Sequence, residues 1–218
     1  MTVNACAKSF HGKTILRCPV LTLEPGLIYA VVGANGSGKS TLARLVSGVL
    51  PADGHVRVVP GGEKIRYMPQ KSYAFRLSTR SNILLAGKDA ARAETLMRAL
   101  RLDGLARRRA GVLSGGETAK MALCRVLMQP CHLLVLDEPT AAMDMESAAV
   151  SEQLILDYRR ETGCSVLLIT HDLHQARRIA DRALFFHRGE LLEAGAADRV
   201  LHHPDRTETR AFLDFYGG

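Results

Sequence analysis

An α/β fold with a mainly parallel core sheet, an antiparallel β piece at the amino terminus and a small helical subdomain set into the chain is what this sequence predicts. Three observations carry that expectation. Apolar runs at Leu27–Val32, His132–Leu136 and Ser165–Thr170 have the length of strands buried on both faces. The first leads at once into a glycine-rich turn, GANGSGKST at Gly33–Thr41, of the kind that joins a buried strand to a helix. From Lys71 to Ala110 the pattern turns helical, with Leu96, Leu100 and their neighbours at helical spacing.

From the amino terminus, the antiparallel piece covers about Val3–Ile28, with turns at His11-Gly12 and Pro25-Gly26. A helix follows the glycine-rich turn through Val49 and stops near Pro51. Val56–Val59 and Ile65–Met68 are expected as short strands around a Gly61-Gly62 turn. Asp103-Gly104 breaks the helical stretch, and Leu113–Glu117, LSGGE, opens a helix running through Val126. Helices are expected at Met145–Arg160 and Leu173–Ala180, then a hairpin of Ala183–His187 and Glu190–Glu193 about Arg188-Gly189. A short helical tail ends at Phe215-Tyr216.

Gly33–Thr41 fits G-x-x-x-x-G-K-[ST] in the strand-to-helix context that a phosphate loop requires. Gly33, Gly36 and Gly38 let successive backbone N–H groups turn inward at phosphate oxygens, with Asn35 and Ser37 completing the loop. Lys39 is placed to reach the β- and γ-phosphates, Ser40 to ligate a magnesium ion, and Thr41 to extend the same anion nest. This loop by itself does not choose between a kinase, a GTPase and an ATPase. The second run ends in Asp137-Glu138 at the edge of the sheet where ligands of such folds collect, with Asp137 as a metal-holding carboxylate and Glu138 as the group that polarises water. Two solvated acids at a strand end are the plainer alternative. The third run delivers His171 to the same edge, as a γ-phosphate contact.

Phosphate loop, Gln70, LSGGE, Asp137-Glu138 and His171, in that order, resemble the nucleotide-binding subunits of ATP-binding cassette (ABC) transporters from about Val3 to Leu213. The resemblance implies a phosphate-loop NTPase of ABC type, a single domain over residues 1–218 with its helical subdomain at about 71–125. It implies ATP and Mg2+ as ligands, and two copies closing head to tail around two ATP molecules as a homodimer. Ser114, Gly115, Gly116 and Glu117 form the family's signature segment, which faces the nucleotide of the opposite copy. The family more often has glutamine where Glu117 stands. By resemblance Gln70 contacts metal and water, Asp144 lies at the dimer interface, and Phe10 stacks on adenine. An N-cap for the next helix is the local alternative for Asp144, and packing on the core is that for Phe10.

The resemblance further implies ATP hydrolysis that powers solute transport through a separate membrane permease, most readily an importer with a solute-binding protein. An exporter or a lipid- or peptide-extracting complex is the alternative, and a soluble non-transport ABC ATPase is a third reading. Tyr73, Ala74, Phe75 and Leu77 match the neighbourhood where the family receives the permease, unless those rings fold back into the subdomain core. Short length and the final segment ETRAFLDFYGG lean toward importers of oxyanions or amino acids.

Composition agrees. A formal net charge of +7 comes from scattered basic residues with few aromatics among them, so no nucleic-acid partner is expected. The start MTVNACAKSF lacks the pattern of a signal peptide, and no run approaches the ~20 apolar residues that span a bilayer. A peripheral protein on the cytoplasmic face of the inner membrane is expected. Five cysteines without CxxC spacing are expected as reduced core residues.

Overall fold

The computed structural model describes residues 1–216. They divide into two compact units. The first comprises Met1–Tyr67, His132–Asp137 and the chain from Gly163 onward, and the second comprises Met68–Cys131 and Glu138–Thr162.

In chain order the strands are β1 (Thr2–Val3), β2 (Cys6–Phe10), β3 (Lys13–Cys18), β4 (Leu21–Thr22), β5 (Ile28–Val32), β6 (Ile65–Met68), β7 (Leu133–Asp137), β8 (Ser165–Ile169), β9 (Arg182–His187) and β10 (Glu190–Ala196). The helices are α1 (Lys39–Val46), α2 (Thr79–Leu84), α3 (Ala90–Ala99), α4 (Gly115–Val126), α5 (Met145–Thr162), α6 (Leu173–Ile179), α7 (Ala197–His202) and α8 (Thr207–Tyr216). An eight-stranded sheet runs β2-β3-β10-β9-β5-β8-β7-β6. Its centre is parallel, with β5 between β8 and β9 and β7 beyond β8.

The three apolar runs of the sequence are β5, β7 and β8, and every residue in them is buried. Alternate residues serve opposite faces, as the period of two demands. Tyr29, Val31, Val135, Leu167, Ile169 and Phe186 pack with Leu42, Leu45 and Val46 of α1. Ala30, Val32, Ala183 and Phe185 pack with Leu173 and Ala176 of α6, Val200 and Leu201 of α7, and Leu213 of α8. All five cysteines are buried and outside any disulfide among the described residues.

The amino-terminal piece is not one separate sheet. Only β1 and β4 pair apart from the rest, while the β2–β3 hairpin joins the large sheet through a parallel contact between β3 and β10. Its two-residue turn has both His11 and Gly12 at positive φ, and the β9–β10 turn repeats this at Arg188 and Gly189, as tight hairpins require. The β9–β10 pairing carries a bulge between Leu191 and Glu193.

Three expectations need correction. Val56–Val59 forms no strand; a 3-10 turn at Asp53–His55 precedes it, and Pro51 and Pro60 bracket the segment with residues that donate no backbone hydrogen bond. The helix after the phosphate loop ends at Val46 rather than Val49, because Gly48 takes the left-handed conformation that closes a helix. Lys71–Ser78 is irregular, and the first helix of the second unit begins only after Ser78, whose side chain accepts from Ser81 N–H. The tail contains two helices, α7 and α8, and the Gly217-Gly218 end of the segment ETRAFLDFYGG lies outside the described residues.

The second unit is helical. Asp89 caps α3 by accepting from Arg92 N–H, and Arg92 ties three helical segments together. Its Nε donates to Leu127 O at 2.8 Å, its guanidinium pairs with Glu161 at 3.1 Å, and it lies over the Tyr158 ring. The Tyr158 hydroxyl donates in turn to Gln129 O at 2.6 Å. No helix among the described residues is long and apolar enough to cross a membrane.

Candidate functional site

The phosphate loop leaves β5 at Val32 and enters α1 at Lys39, so strand and helix hold its two ends. Gly33 has φ +144°, and a Cβ there would lie 2.1 Å from Phe186 O, so only glycine fits against β9. Gly38, at φ +98°, precedes α1 and gives it no side-chain cap, which leaves the first N–H groups of that helix directed into the loop. Ser37 Oγ is buried and makes no hydrogen bond among the described residues. The buried Lys39 ammonium donates to Gly33 O at 2.6 Å and Ala34 O at 2.9 Å, so the positive charge sits within the loop. Inward N–H groups, a buried hydroxyl and an ammonium fit a phosphate chain. Asn35 and Gly36 are exposed at the tip, and Thr41 is half-buried in the first turn of α1.

Ser40 and Asp137 meet. The Ser40 hydroxyl donates to Asp137 Oδ1 at 3.2 Å, and Asp137 is fully buried at the end of β7. A hydroxyl and a carboxylate form an all-oxygen set, which suits a hard divalent cation. Sequence reasoning missed Tyr67, on β6. Burial, then the negative charge of Asp137, push its phenol above the ordinary value, and Arg44 opposes them. A tyrosine in a short apolar strand carries no motif that would have marked it.

Phe10 ends β2 with 44% of its surface exposed and the Lys8 ammonium 5.5 Å from its ring centroid, so it is not packed into the core. His171 follows β8 and is exposed. Gln70 is exposed two residues beyond β6. Glu138 is half-buried and has φ +52°, a left-handed conformation that costs a non-glycine residue about 1–3 kcal/mol.

In the second unit, Ser114 and Glu117 form a reciprocal cap at the start of α4. Ser114 Oγ accepts from Glu117 N–H, and the Glu117 carboxylate accepts from Ser114 N–H at 2.7 Å. The Ser114 N–H is therefore engaged, and Gly115 and Gly116 carry the donors left for an anion. The backbone hydrogen bond from Ser114 holds the Glu117 carboxyl below its usual range. Gly116 is required locally, since a Cβ would lie 2.8 Å from Ala142 O. Asp144 starts α5 by accepting from Ser147 N–H at 2.8 Å, which is the local role allowed to it, and that bond with the Ser147 hydroxyl lowers its pKa. Tyr73, Phe75 and Leu77 are 64%, 44% and 42% exposed, so the rings do not fold back into the subdomain.

A phosphate loop that opens a helix, beside a buried strand-end carboxylate on a parallel sheet, defines a nucleotide-binding protein of the phosphate-loop class. The family model described as "ABC transporter" matches residues 17–141, more than half of the chain. A tungstate uptake system ATP-binding protein, TupC, of Peptoclostridium acidaminophilum is 36% identical over 208 residues, covering 89% of this chain and 97% of that protein. The phosphate import ATP-binding protein PstB 2 of Natronomonas pharaonis is 32% identical over 247 residues, covering 98% of this chain and 86% of that protein. A solved ATP-binding subunit of an ABC transporter superposes with a TM-score of 0.83 at 20% identity, over 100% of this chain and 99% of that one, and so shares the fold. The chain belongs to the ABC transporter family, and it is an ATP-binding ATPase of that family.

Proposed function

We propose that two copies of this chain close head to tail around two ATP molecules and that the cycle of closure and hydrolysis drives solute import through a separate membrane permease. The observation that carries this reading is Gly115. It is exposed, its φ is not positive, and a Cβ would meet nothing within 4 Å, so neither packing nor backbone conformation within the chain asks for glycine. A surface that must admit close approach from outside does ask for it, at the start of a helix whose N–H groups favour an anion.

In this reading Gly33, Gly36, Ser37, Gly38, Lys39 and Thr41 cradle the triphosphate, with Phe10 stacked on the adenine. Ser40 and Asp137, with Gln70, would hold a magnesium ion, which supplies charge neutralisation at the β- and γ-phosphates. Glu138 orients the attacking water and His171 holds the γ-phosphate, while Ser114 and Gly116 of the second copy complete its contacts. Hydrolysis removes the group that both copies grip, and the dimer opens. The exposed Tyr73–Leu77 loop receives the permease, which places the protein peripherally on the cytoplasmic membrane face. Relatives named for tungstate uptake and phosphate import support import over export.

The test is tagged Glu138→Gln protein captured from detergent-solubilised native membranes and identified with its companions by mass spectrometry. Co-purification of a polytopic membrane protein is expected. Recovery of ribosomal or DNA-bound partners alone would replace this reading with a soluble ABC ATPase.

A further inference from the structure

The guanidinium of Arg125, in the last turn of α4, spends its donors outside its own helix. Nε donates to Asn82 O at 3.0 Å, Nη2 to Asn82 Oδ1 at 2.9 Å, and Nη1 to Tyr73 O at 3.1 Å. Its carbon lies 5.2 Å from the Phe75 ring centroid, a cation–π distance. Asn82, fully buried on α2, continues the grip. Its Oδ1 accepts from Phe75 N–H at 2.9 Å, and its Nδ2 donates to Phe75 O at 3.1 Å and Ser78 O at 3.0 Å. All six of these bonds converge on the segment Tyr73–Ser78 or on the asparagine that holds it, yet Tyr73, Phe75 and Leu77 remain outside the core. The Tyr73 and Phe75 rings meet edge to face at 5.0 Å, which fixes their mutual orientation. An exposed apolar loop is thus held in one shape by polar bonds from below.

The other end of the same helix is Ser114-Gly115-Gly116. Arg125 stands eleven positions beyond Ser114 along the helix, about 16 Å of nearly rigid rod. We infer that Arg125 is a positioning residue that couples the two ends: seating of α4 on nucleotide at Ser114–Gly116 sets how the Tyr73–Leu77 loop is presented to the membrane partner. The inference rests on the ATP-bound dimer proposed above. Lysine cannot replace this arginine, because one ammonium on a flexible stem does not reach Tyr73 O, Asn82 O and Asn82 Oδ1 as a planar fork does.

The experiment is hydrogen–deuterium exchange of the full chain in the Glu138→Gln background, with and without MgATP, comparing Glu138→Gln alone with Glu138→Gln carrying Arg125→Lys. Size-exclusion chromatography follows dimer formation in the same samples. In the Arg125 protein, ATP is expected to slow exchange both at 114–126 and at 73–82. With Arg125→Lys the dimer and the slowing at 114–126 persist, and the slowing at 73–82 is lost. A purely structural staple would raise exchange at 73–82 equally with and without ATP but leave its ATP response in place, and that result overturns the inference. So does an Arg125 protein that dimerises on ATP with no response at 73–82, a measurement that decides the matter even if Arg125→Lys proves too unstable to handle. A protein that stays monomeric, with no response at 114–126, removes the dimer reading and this inference with it.

Discussion

The Ser40 hydroxyl donates to Asp137 Oδ1 across 3.2 Å although 97 positions separate them in the chain. Parallel packing of β5 and β7 about β8 brings the start of α1 to the end of β7. Asp137→Asn keeps the acceptor and the shape but removes the charge. Magnesium-dependent ATP hydrolysis is expected to fall by about 10²-fold or more, with metal-free nucleotide binding preserved. Steady-state hydrolysis and calorimetric titration with and without magnesium measure the two; parental turnover in the variant would remove Asp137 from the metal site.

Lys39 is buried and donates to two carbonyls of its own loop. Lys39→Ala takes away the ammonium that a triphosphate would share, and two charge-assisted bonds correspond to a loss of about 10²-fold or more in affinity. Calorimetry with a non-hydrolysable ATP analogue gives the number. Affinity within a factor of a few of the parent would contradict the assignment.

Glu138→Gln is expected to bind ATP, stop turning it over, and elute as a dimer with ATP and a monomer with ADP. Light scattering behind a sizing column reads the mass directly. Normal hydrolysis by this variant would take Glu138 out of the role of water-orienting group.

Glu117 places a negative charge at the helix start proposed to face a second negative charge, the γ-phosphate. Glu117→Gln keeps the reciprocal cap and removes the repulsion, so the ATP dimer should form at lower ATP concentration. The same carboxyl bears on acid stability. Because its folded pKa lies below the ordinary 4.5, its contribution is present above that value and lost as pH falls through the lower folded pKa. Below about pH 4.5 the melting temperature of the parent should therefore drop more steeply than that of Glu117→Gln. Parallel melting curves across the acid range would refute this.

Gly33→Ala sets a methyl group 2.1 Å from Phe186 O at a φ of +144°. Neither β5 nor β9 can yield without opening the middle of the sheet. A loss above about 4 kcal/mol is expected, read by thermal or urea unfolding. A variant as stable as the parent would mean that the strands have room to separate.

The parallel core was legible because β5, β7 and β8 are apolar apart from Asp137 at the end of β7 and Ser165 at the start of β8, which is what burial on both faces writes into a sequence. Val56–Val59 has the composition of a strand and failed as one because the prolines at 51 and 60 frame it and Val56 stays exposed. Lys71–Ser78 falls in the stretch expected to be helical, yet Tyr73 O, Phe75 N–H, Phe75 O and Ser78 O are bonded by the Asn82 and Arg125 side chains, residues that no local period reveals. Motif spacing marked Ser40 and Asp137, and only coordinates could show that they touch. The left-handed Glu138, the capped Ser114 N–H and the Tyr67 phenol near Asp137 depend on backbone angles and long-range packing that residue types do not encode.

The phosphate loop spans residues 33–41, but its mould comes from residues about 150 positions further along. Gly189 N–H donates to Ser37 O at 3.2 Å, Phe186 O presses on Gly33, and β9 is hydrogen-bonded to β5 itself. A nascent chain emerging from the ribosome carries GANGSGKST long before residues 182–189 exist to shape it. The loop can therefore take its shape only after residues 182–189 have been made, so a chain truncated before the β9–β10 turn would display the motif without owning the pocket.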